Sequence, residues 1–304
     1  MMKELRITKS DRNVIIENLE HFNIEHTMEC GQCFHFIKID EMEYGIVSGE
    51  HFAHVKQEGD TLIFYDKDIN EVQDYWIHYF DLNRDYGEIK AKLLEKDDAL
   101  KNIIEEMYGI RILNQEFEET LISFIISQNK QIPHIKQIVA MLSEQYGNPA
   151  LNIGDVDMHT FPKGDGLYGI TEEQFRNCKT GFRAKYLKDA VTRMGDGRLS
   201  EDVFKSINYE EAKEILIQTK GVGEKVANCV LLFGLGYREA FPVDVWMKRI
   251  MEDIYFKKET SKEDIMEFAR DRYGEYGGYA QQYLFHYGRK HNVGVTNKSK
   301  KTNK

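Results

Sequence analysis

Cysteine is scarce in this chain: four residues in 304, at positions 30, 33, 178 and 229. That is no disulfide scaffold, and a reducing compartment keeps such cysteines as thiols. Long apolar runs are also missing. VLLFGLG at 230–236 is among the longest, far short of the roughly 20 residues that a membrane-crossing helix needs. The opening residues, MMKELRITKSD, lack the apolar core of a secretion signal, so the cytoplasm (nucleoid) or the nucleus is the expected location. Positive charge is not in excess. The 41 Lys and Arg stand against 51 Asp and Glu, a formal net charge of −10. That balance argues against an indiscriminate nucleic-acid coat, although not against a local basic face. No repeat of fixed period is found.

What is present points to a packed protein of two domains or one large one, with 41% hydrophobic and 12% aromatic residues. Six basic residues (Arg176, Lys179, Arg183, Lys185, Lys188, Arg193) crowd a stretch with one acid, Asp189. A second basic run begins at Arg289, and residues 293–304 are expected to be a basic disordered tail. SDRNVIIENLEHF at 10–22 is read as a helix capped by Ser10 and Asp11. EYGIVSG (43–49), HFAHVK (51–56) and TLIFYD (61–66) predict short strands joined by glycine-containing hairpins. Residues 86–108 are read as helical. After Gly109 only helices are expected, over 117–128, 133–147, 183–194, 208–219, 224–235, 244–255, 262–274 and 278–290. The fold class is therefore α+β. An N-terminal antiparallel β-sheet domain with flanking helices spans 1–112. All-helical domains follow over 113–292, with a helix-hairpin-helix at about 209–236.

That hairpin is the most informative stretch. In LIQTKGVGEKVANCV (216–230), two helices flank Lys220-Gly221-Val222-Gly223. Gly221 and Gly223 permit positive φ and a close backbone approach. The second helix then offers unpaired N–H groups and a positive dipole end, suited to a DNA phosphate without reading sequence. Many such turns are only tight connections between helices. Lys225 lies just inside the second helix, and Asp244 follows 19 residues on, after Pro242-Val243. Surface solvation is the ordinary fate of such a lysine, and helix capping that of such an aspartate. The apolar flanks, VANCVLLFGL and FPV, instead suggest that both share a partly buried place. Loss of water favours a lysine's neutral, nucleophilic amine.

KGVGEKVANCV and FPVDV together resemble the helix-hairpin-helix-Gly/Pro-Asp glycosylase superfamily, and within it the 8-oxoguanine DNA glycosylase/AP lyase family. The likeness extends to GQCF (31–34), GIRILNQEFEETLISFIISQN (109–129), GFRAKY (181–186) and GYAQQYLF (278–285), so it spans roughly residues 10–292. The resemblance implies a bifunctional enzyme acting on double-stranded DNA that contains 8-oxoguanine. Lys225 matches the family's nucleophile, and Asp244 the carboxylate that stabilises charge on the sugar. Gly31 matches the glycine whose carbonyl accepts the N7–H of the damaged base. Gln281 matches the reader of the Watson–Crick edge, and Phe285 and Cys229 the pair that sandwich the base. Taken alone, Phe285 has core-helix spacing and Cys229 passes for a small buried hydrophobe. Asn129 matches the residue that fills the gap in the duplex, where a helix end is the plain alternative.

Opposite the lesion, Arg183 matches an arginine that contacts the orphan cytosine. There the chain departs from the pattern: the wedge tyrosine is Phe182, the second cytosine-reading arginine is His134, and a phosphate-contacting histidine is Trp246. Weaker opposite-base selectivity is expected from those changes. Gly221 and Gly223 are the expected phosphate contacts of the hairpin. The resemblance implies no required cofactor and no metal, and allows a monovalent cation at the hairpin carbonyls. Nothing argues for an oligomer, so a monomer is expected. Two alternatives stay open: a glycosylase of the same superfamily for another damaged base, and a non-catalytic DNA-binding module. Four scattered cysteines disfavour the iron–sulfur branch, and Lys225 disfavours the alkylpurine branch, which lacks it.

ECGQCF contains a C-x-x-C, but no second pair completes a zinc site and no thioredoxin-like βαβ pattern surrounds it. Strand alternation would put Cys33 and His35 on one face and Cys30 on the other, with Phe34 in the core. The position that matters is then Gly31, bare enough for a base to approach.

Overall fold

The computed structural model describes residues 3–294. Six antiparallel strands form the N-terminal sheet: β1 (Arg6–Ser10), β2 (Asn13–Glu17), β3 (Phe36–Asp40), β4 (Glu43–Ser48), β5 (His51–Glu58) and β6 (Thr61–Tyr65), in the order β1-β2-β6-β5-β4-β3. Period-two patterning builds it. Val14, Ile16, Val55, Leu62 and Phe64 are fully buried and pack on Trp76, Phe80 and the short helix α1 (Ile24–Glu29).

Residues 10–22 are not the helix that their cap-like start suggests. Ser10 pairs with Asn13 across a two-residue loop in which Asp11 takes φ 57°. The β-branched run Val14-Ile15-Ile16 alternates between core and surface, so tertiary burial outweighs the local helix signal.

The segment 109–115 ties the sheet to the helices. Gly109 accepts from Asn23 N at 2.9 Å, Asn114 N donates to Tyr79 at 2.9 Å, and Gln115 N donates to Phe233 at 2.9 Å. Arg111 is buried, and its guanidinium donates to the carbonyls of Asp81, Arg84 and Glu20.

The helical region is built around α2 (Tyr86–Lys96), α3 (Lys101–Glu106), α4 (Phe117–Ile126), α5 (Ile132–Tyr146), α6 (Ala184–Gly195), α7 (Tyr209–Ile217), α8 (Glu224–Gly234), α9 (Val245–Met251), α10 (Lys262–Tyr273) and α11 (Gly277–Lys290). α4 is buried nearly all round and packs on α8. Pro133 stands in the first turn of α5, where its missing N–H costs nothing.

One hairpin interrupts the helices, where the sequence pattern shows no strand. β7 (Pro149–Ile153) and β8 (Val156–His159) turn through Gly154 at φ 61°. They lie on the N-terminal sheet, with Ile153 and Met158 against Gly45. Their burial depends on that distant sheet, which is why the local pattern is faint. At the other end, Val293 N donates to the Gly288 carbonyl at 2.9 Å, so Val293 and Gly294 belong to the folded turn after α11. The rest of the expected basic tail, 295–304, lies outside the described residues. Among those residues no helix is long and apolar enough to cross a membrane.

Candidate active site

The hairpin between α7 and α8 uses its two glycines differently. Gly221 takes φ 78°, and a Cβ there would stand 2.4 Å from the Tyr186 ring. Gly223 does not use the positive φ expected of it. It caps α8 at φ −98°, ψ 179°, with nothing within 4 Å of a built Cβ. Its contribution is open space above the first turn of α8, where the helix N–H groups are unpaired. Asp189 holds the hairpin on α6, accepting from Lys220 N at 2.9 Å and pairing with Arg193 at 2.9 Å.

Lys225, in the first turn of α8, is half-buried. Its Nζ stands 5.1 Å above the ring centre of Phe124. That ring stacks on Phe233 at 5.5 Å and meets Phe34 edge-on at 5.4 Å. Asp244 is the N-cap of α9, accepting from Met247 N at 2.7 Å. It is thus a cap and a site carboxylate at once, because its free face opens on the cavity that Lys225 lines.

The cavity's inner part, about 40 Å³, brings Lys225 and Asp244 together with Gly31, Cys229, Gln281 and Phe285. A wider mouth of about 570 Å³ adds Asn129 and Trp246. Burial pushes the Cys229 thiol up to about 11, with Lys225 pulling it back and Asp244 pushing further. Cys229 therefore stays a neutral wall. Gln281 is buried, and its amide reaches the Pro242 carbonyl at only 3.4 Å.

Gly31 takes φ 88°, and a Cβ there would lie 3.4 Å from Phe285 Cε1. Its loop is irregular, so strand alternation does not govern the two cysteines. Cys30 ends α1 in the helical core, while Cys33 lies in the sheet core. Both are free thiols, and burial pushes Cys30 up to about 12 and holds Cys33 well above the ordinary thiol range. The loop is held by Gln32, fully buried. Its amide donates to the carbonyls of Thr27 and Arg111, both at 2.8 Å, and its oxygen accepts from Leu113 N at 2.9 Å. Gln115 adds a bond to the Gln32 carbonyl at 2.8 Å.

The expected contacts around the gap are scattered along the mouth. Asn129 is exposed in the turn after α4, at φ 51°. Phe182 is 48% exposed. His134 stands exposed in the first turn of α5, between Pro133 and Ile135, which both line the mouth. Arg183 does not face outward. It is 4% exposed, stacks 4.3 Å from the Phe182 ring centre, and spends its donors on the carbonyls of Gln128 and Thr180. A buried guanidinium takes backbone acceptors when no base is offered.

Sequence reasoning missed Gln32, Phe124, Phe233, Gln282 and Arg289. Arg289 had a readable signal: Gln281, Phe285 and Arg289 recur every four residues, on one face of α11. Phe124 had none, since every residue of α4 from Thr120 to Ile126 is buried. Among the described residues no group of His, Cys, Asp and Glu is placed to hold a metal.

Residues 14–121 match the family described as 8-oxoguanine DNA glycosylase, N-terminal domain, and residues 122–275 match the HhH-GPD superfamily base excision DNA repair protein. Over 278 residues the chain is 30% identical to N-glycosylase/DNA lyase OGG1 of Arabidopsis thaliana, covering 85% of this chain and 75% of that one. It is 30% identical over 233 residues to a probable N-glycosylase/DNA lyase of Methanothermobacter thermautotrophicus, covering 70% of this chain and 73% of that one. A solved structure of Clostridium acetobutylicum 8-oxoguanine glycosylase/lyase, bound to double-stranded DNA with cytosine opposite the lesion, is similar with a TM-score of 0.90. Identity there is 39%, over 96% of this chain and 99% of that one.

Proposed function

We propose, from the premise that this chain belongs to the HhH-GPD superfamily of base excision DNA repair proteins and carries an 8-oxoguanine glycosylase N-terminal domain, that it excises 8-oxoguanine from duplex DNA and then cleaves the abasic site. One observation carries the proposal: an amine, Lys225, and a carboxylate, Asp244, from two neighbouring helix starts open on a single apolar-walled cavity.

The damaged nucleotide leaves the stack and enters that cavity. Lys225 Nζ attacks C1′ and displaces the base. Asp244 stabilises the positive charge that develops on the sugar. The resulting imine permits β-elimination of the 3′ phosphate. The Gly31 carbonyl accepts N7–H, which guanine lacks. Leaving that acceptor unpaired costs undamaged guanine on the order of 1–3 kcal/mol. Gln281 reads the Watson–Crick edge, and Phe285 and Cys229 enclose the base. Gly221 and Gly223 receive a phosphate, with Trp246 beside the same backbone; a monovalent cation, where one binds, would be held by the hairpin carbonyls. Asn129 fills the gap behind the wedge of Phe182.

Opposite-base choice falls to Arg183 and His134. With one arginine clamped inward and histidine at the second position, excision opposite C, T, G and A should differ modestly. A preference for C by orders of magnitude would refute that point. The central test is borohydride trapping on an 8-oxoguanine duplex. The wild type gives a covalent complex, and Lys225→Gln gives none. Trapping that survives in Lys225→Gln removes Lys225 from the mechanism.

A further inference from the structure

Arg289 is a charge without a protein acceptor at the mouth of the base pocket. Among the described residues its guanidinium makes no hydrogen bond or ion pair; it lies 5.5 Å from the Phe285 ring centre, and Nη1 would be 3.3 Å from a Cβ on Gly31. Burial lowers its pKa from the ordinary arginine value, while Asp244 and Cys30 act the other way. Arg111 and Arg183, the two buried arginines among the described residues, both donate to backbone carbonyls. A half-buried guanidinium left unpaired beside a ligand cavity calls for an acceptor from outside.

The acceptor follows from where Arg289 stands. This step rests on the base orientation proposed above, with N7–H on the Gly31 carbonyl and C1′ before Lys225. The edge of the purine between those two points runs N7, C8, N9. O8, the oxygen that distinguishes the lesion, projects from its middle. Arg289 is beside Gly31 at one end and within the field of Asp244 at the other, and it lines the mouth with Lys225 and Asp244. We propose that Arg289 donates a hydrogen bond to O8 of the flipped base.

The contact serves chemistry as well as selection. As Lys225 Nζ bonds to C1′, the C1′–N9 bond breaks and its electron pair passes to the base. N9, C8 and O8 share that pair. The guanidinium stabilises the charge on O8, and the departing base takes the proton that Lys225 sheds on forming its new bond. An interaction that strengthens as the charge appears accelerates the step.

Arg289→Met keeps the long apolar stem against Phe285 and removes every donor. Single-turnover excision of 8-oxoguanine should fall on the order of 100-fold. Borohydride trapping on a preformed abasic site, where no base is present, should stay within about twofold of wild type, as should affinity for a duplex with a tetrahydrofuran site. Arg289→Lys should recover part of the excision rate. A parallel loss on abasic substrates would assign Arg289 to a backbone phosphate and overturn the proposal. Unimpaired excision by Arg289→Met would reduce Arg289 to packing and overturn it equally. Wild-type protein that left 8-oxoguanine in place would defeat the function itself. Excision by wild type and by Arg289→Met alike defeats only this inference.

Discussion

On the proposed mechanism Asp244 carries two roles that substitution can separate. As N-cap of α9 it accepts from Met247 N at 2.7 Å. Alanine removes that cap at a cost of about 1 kcal/mol, or roughly 2 °C in Tm for a chain of this size. Asparagine caps as well as aspartate and gives up only the charge–dipole part, about 0.3–1 kcal/mol. Neither loss unfolds a protein whose stability is on the order of 5–15 kcal/mol, so both variants stay essentially fully folded at 25 °C. Loss of a group that stabilises transition-state charge, by contrast, costs on the order of 100-fold or more in rate. Asp244→Asn and Asp244→Ala should therefore lose single-turnover excision alike, while their melting temperatures differ. Calorimetry and a quench time course on an 8-oxoguanine duplex give both numbers. If Asp244→Asn excised at the wild-type rate, the carboxylate would be a cap and nothing more.

The hairpin glycines should separate in the same manner. Gly221→Ala meets both the left-handed backbone, about 1–2 kcal/mol, and the Tyr186 ring, so melting temperature and DNA affinity fall together. Gly223→Ala meets open space in the free protein and costs under about 1 kcal/mol in capping, yet it should weaken binding to undamaged duplex in fluorescence anisotropy. Unchanged binding would clear Gly223 of any phosphate. Gln32→Leu leaves Leu113 N and the Arg111 carbonyl buried without partners, at about 1–3 kcal/mol each, and should lower the urea midpoint sharply. Cys30→Ser and Cys33→Ser, whose side chains already donate to the carbonyls of Thr27 and Met28, should retain excision; loss of activity there would restore a role for the thiols. His286 is held down to about 4 by burial, with His26, Arg289 and Lys290 adding and Glu29 opposing. The unfolded chain takes up that proton near 6.5 and the folded one only near 4, so stability falls as pH drops through that window. His286→Asn should flatten the dependence of Tm on pH between those values, and an unaltered slope would contradict the burial argument.

The parts of the molecule legible in the sequence are those whose geometry is local. The strands over 43–65 announce themselves by alternation, and the hairpin at 220–223 by its spacing to Lys225. The parts that were not legible depend on distant partners. Val14 and Ile16 are strand residues because Leu62 and Phe64 lie beside them, which the capping pattern at Ser10 cannot reveal. β7 and β8 exist because Gly45 leaves room for Ile153 and Met158. Within the site, Gln32 was hidden between two cysteines that drew attention by their spacing. Arg183 was readable as a nucleic-acid contact, but its inward clamp on Gln128 depends on how the turn after α4 meets α6. Arg289 was counted with the basic run that follows it, although its helical spacing from Gln281 and Phe285 sets it on the pocket side.

On the proposed reading, the two walls of the pocket differ in how they can move. The inner part, lined by Lys225, Asp244, Cys229 and Gln281, is far narrower than the mouth that leads to it. One wall is the Gly31 loop, fixed by the three bonds of Gln32, by Gln115, and by a backbone φ of 88°. The other is Phe285, a half-buried ring that can turn about its side-chain torsions. A base entering the pocket therefore displaces the ring and leaves the loop in place. The Gly31 carbonyl keeps its position, and every base pays the same opening cost before it is tested. Guanine pays that cost and finds an acceptor that it cannot satisfy. If Gly31 accepts N7–H as proposed, 8-oxoguanine recovers it there, which puts selection in the rigid wall and admission in the mobile one.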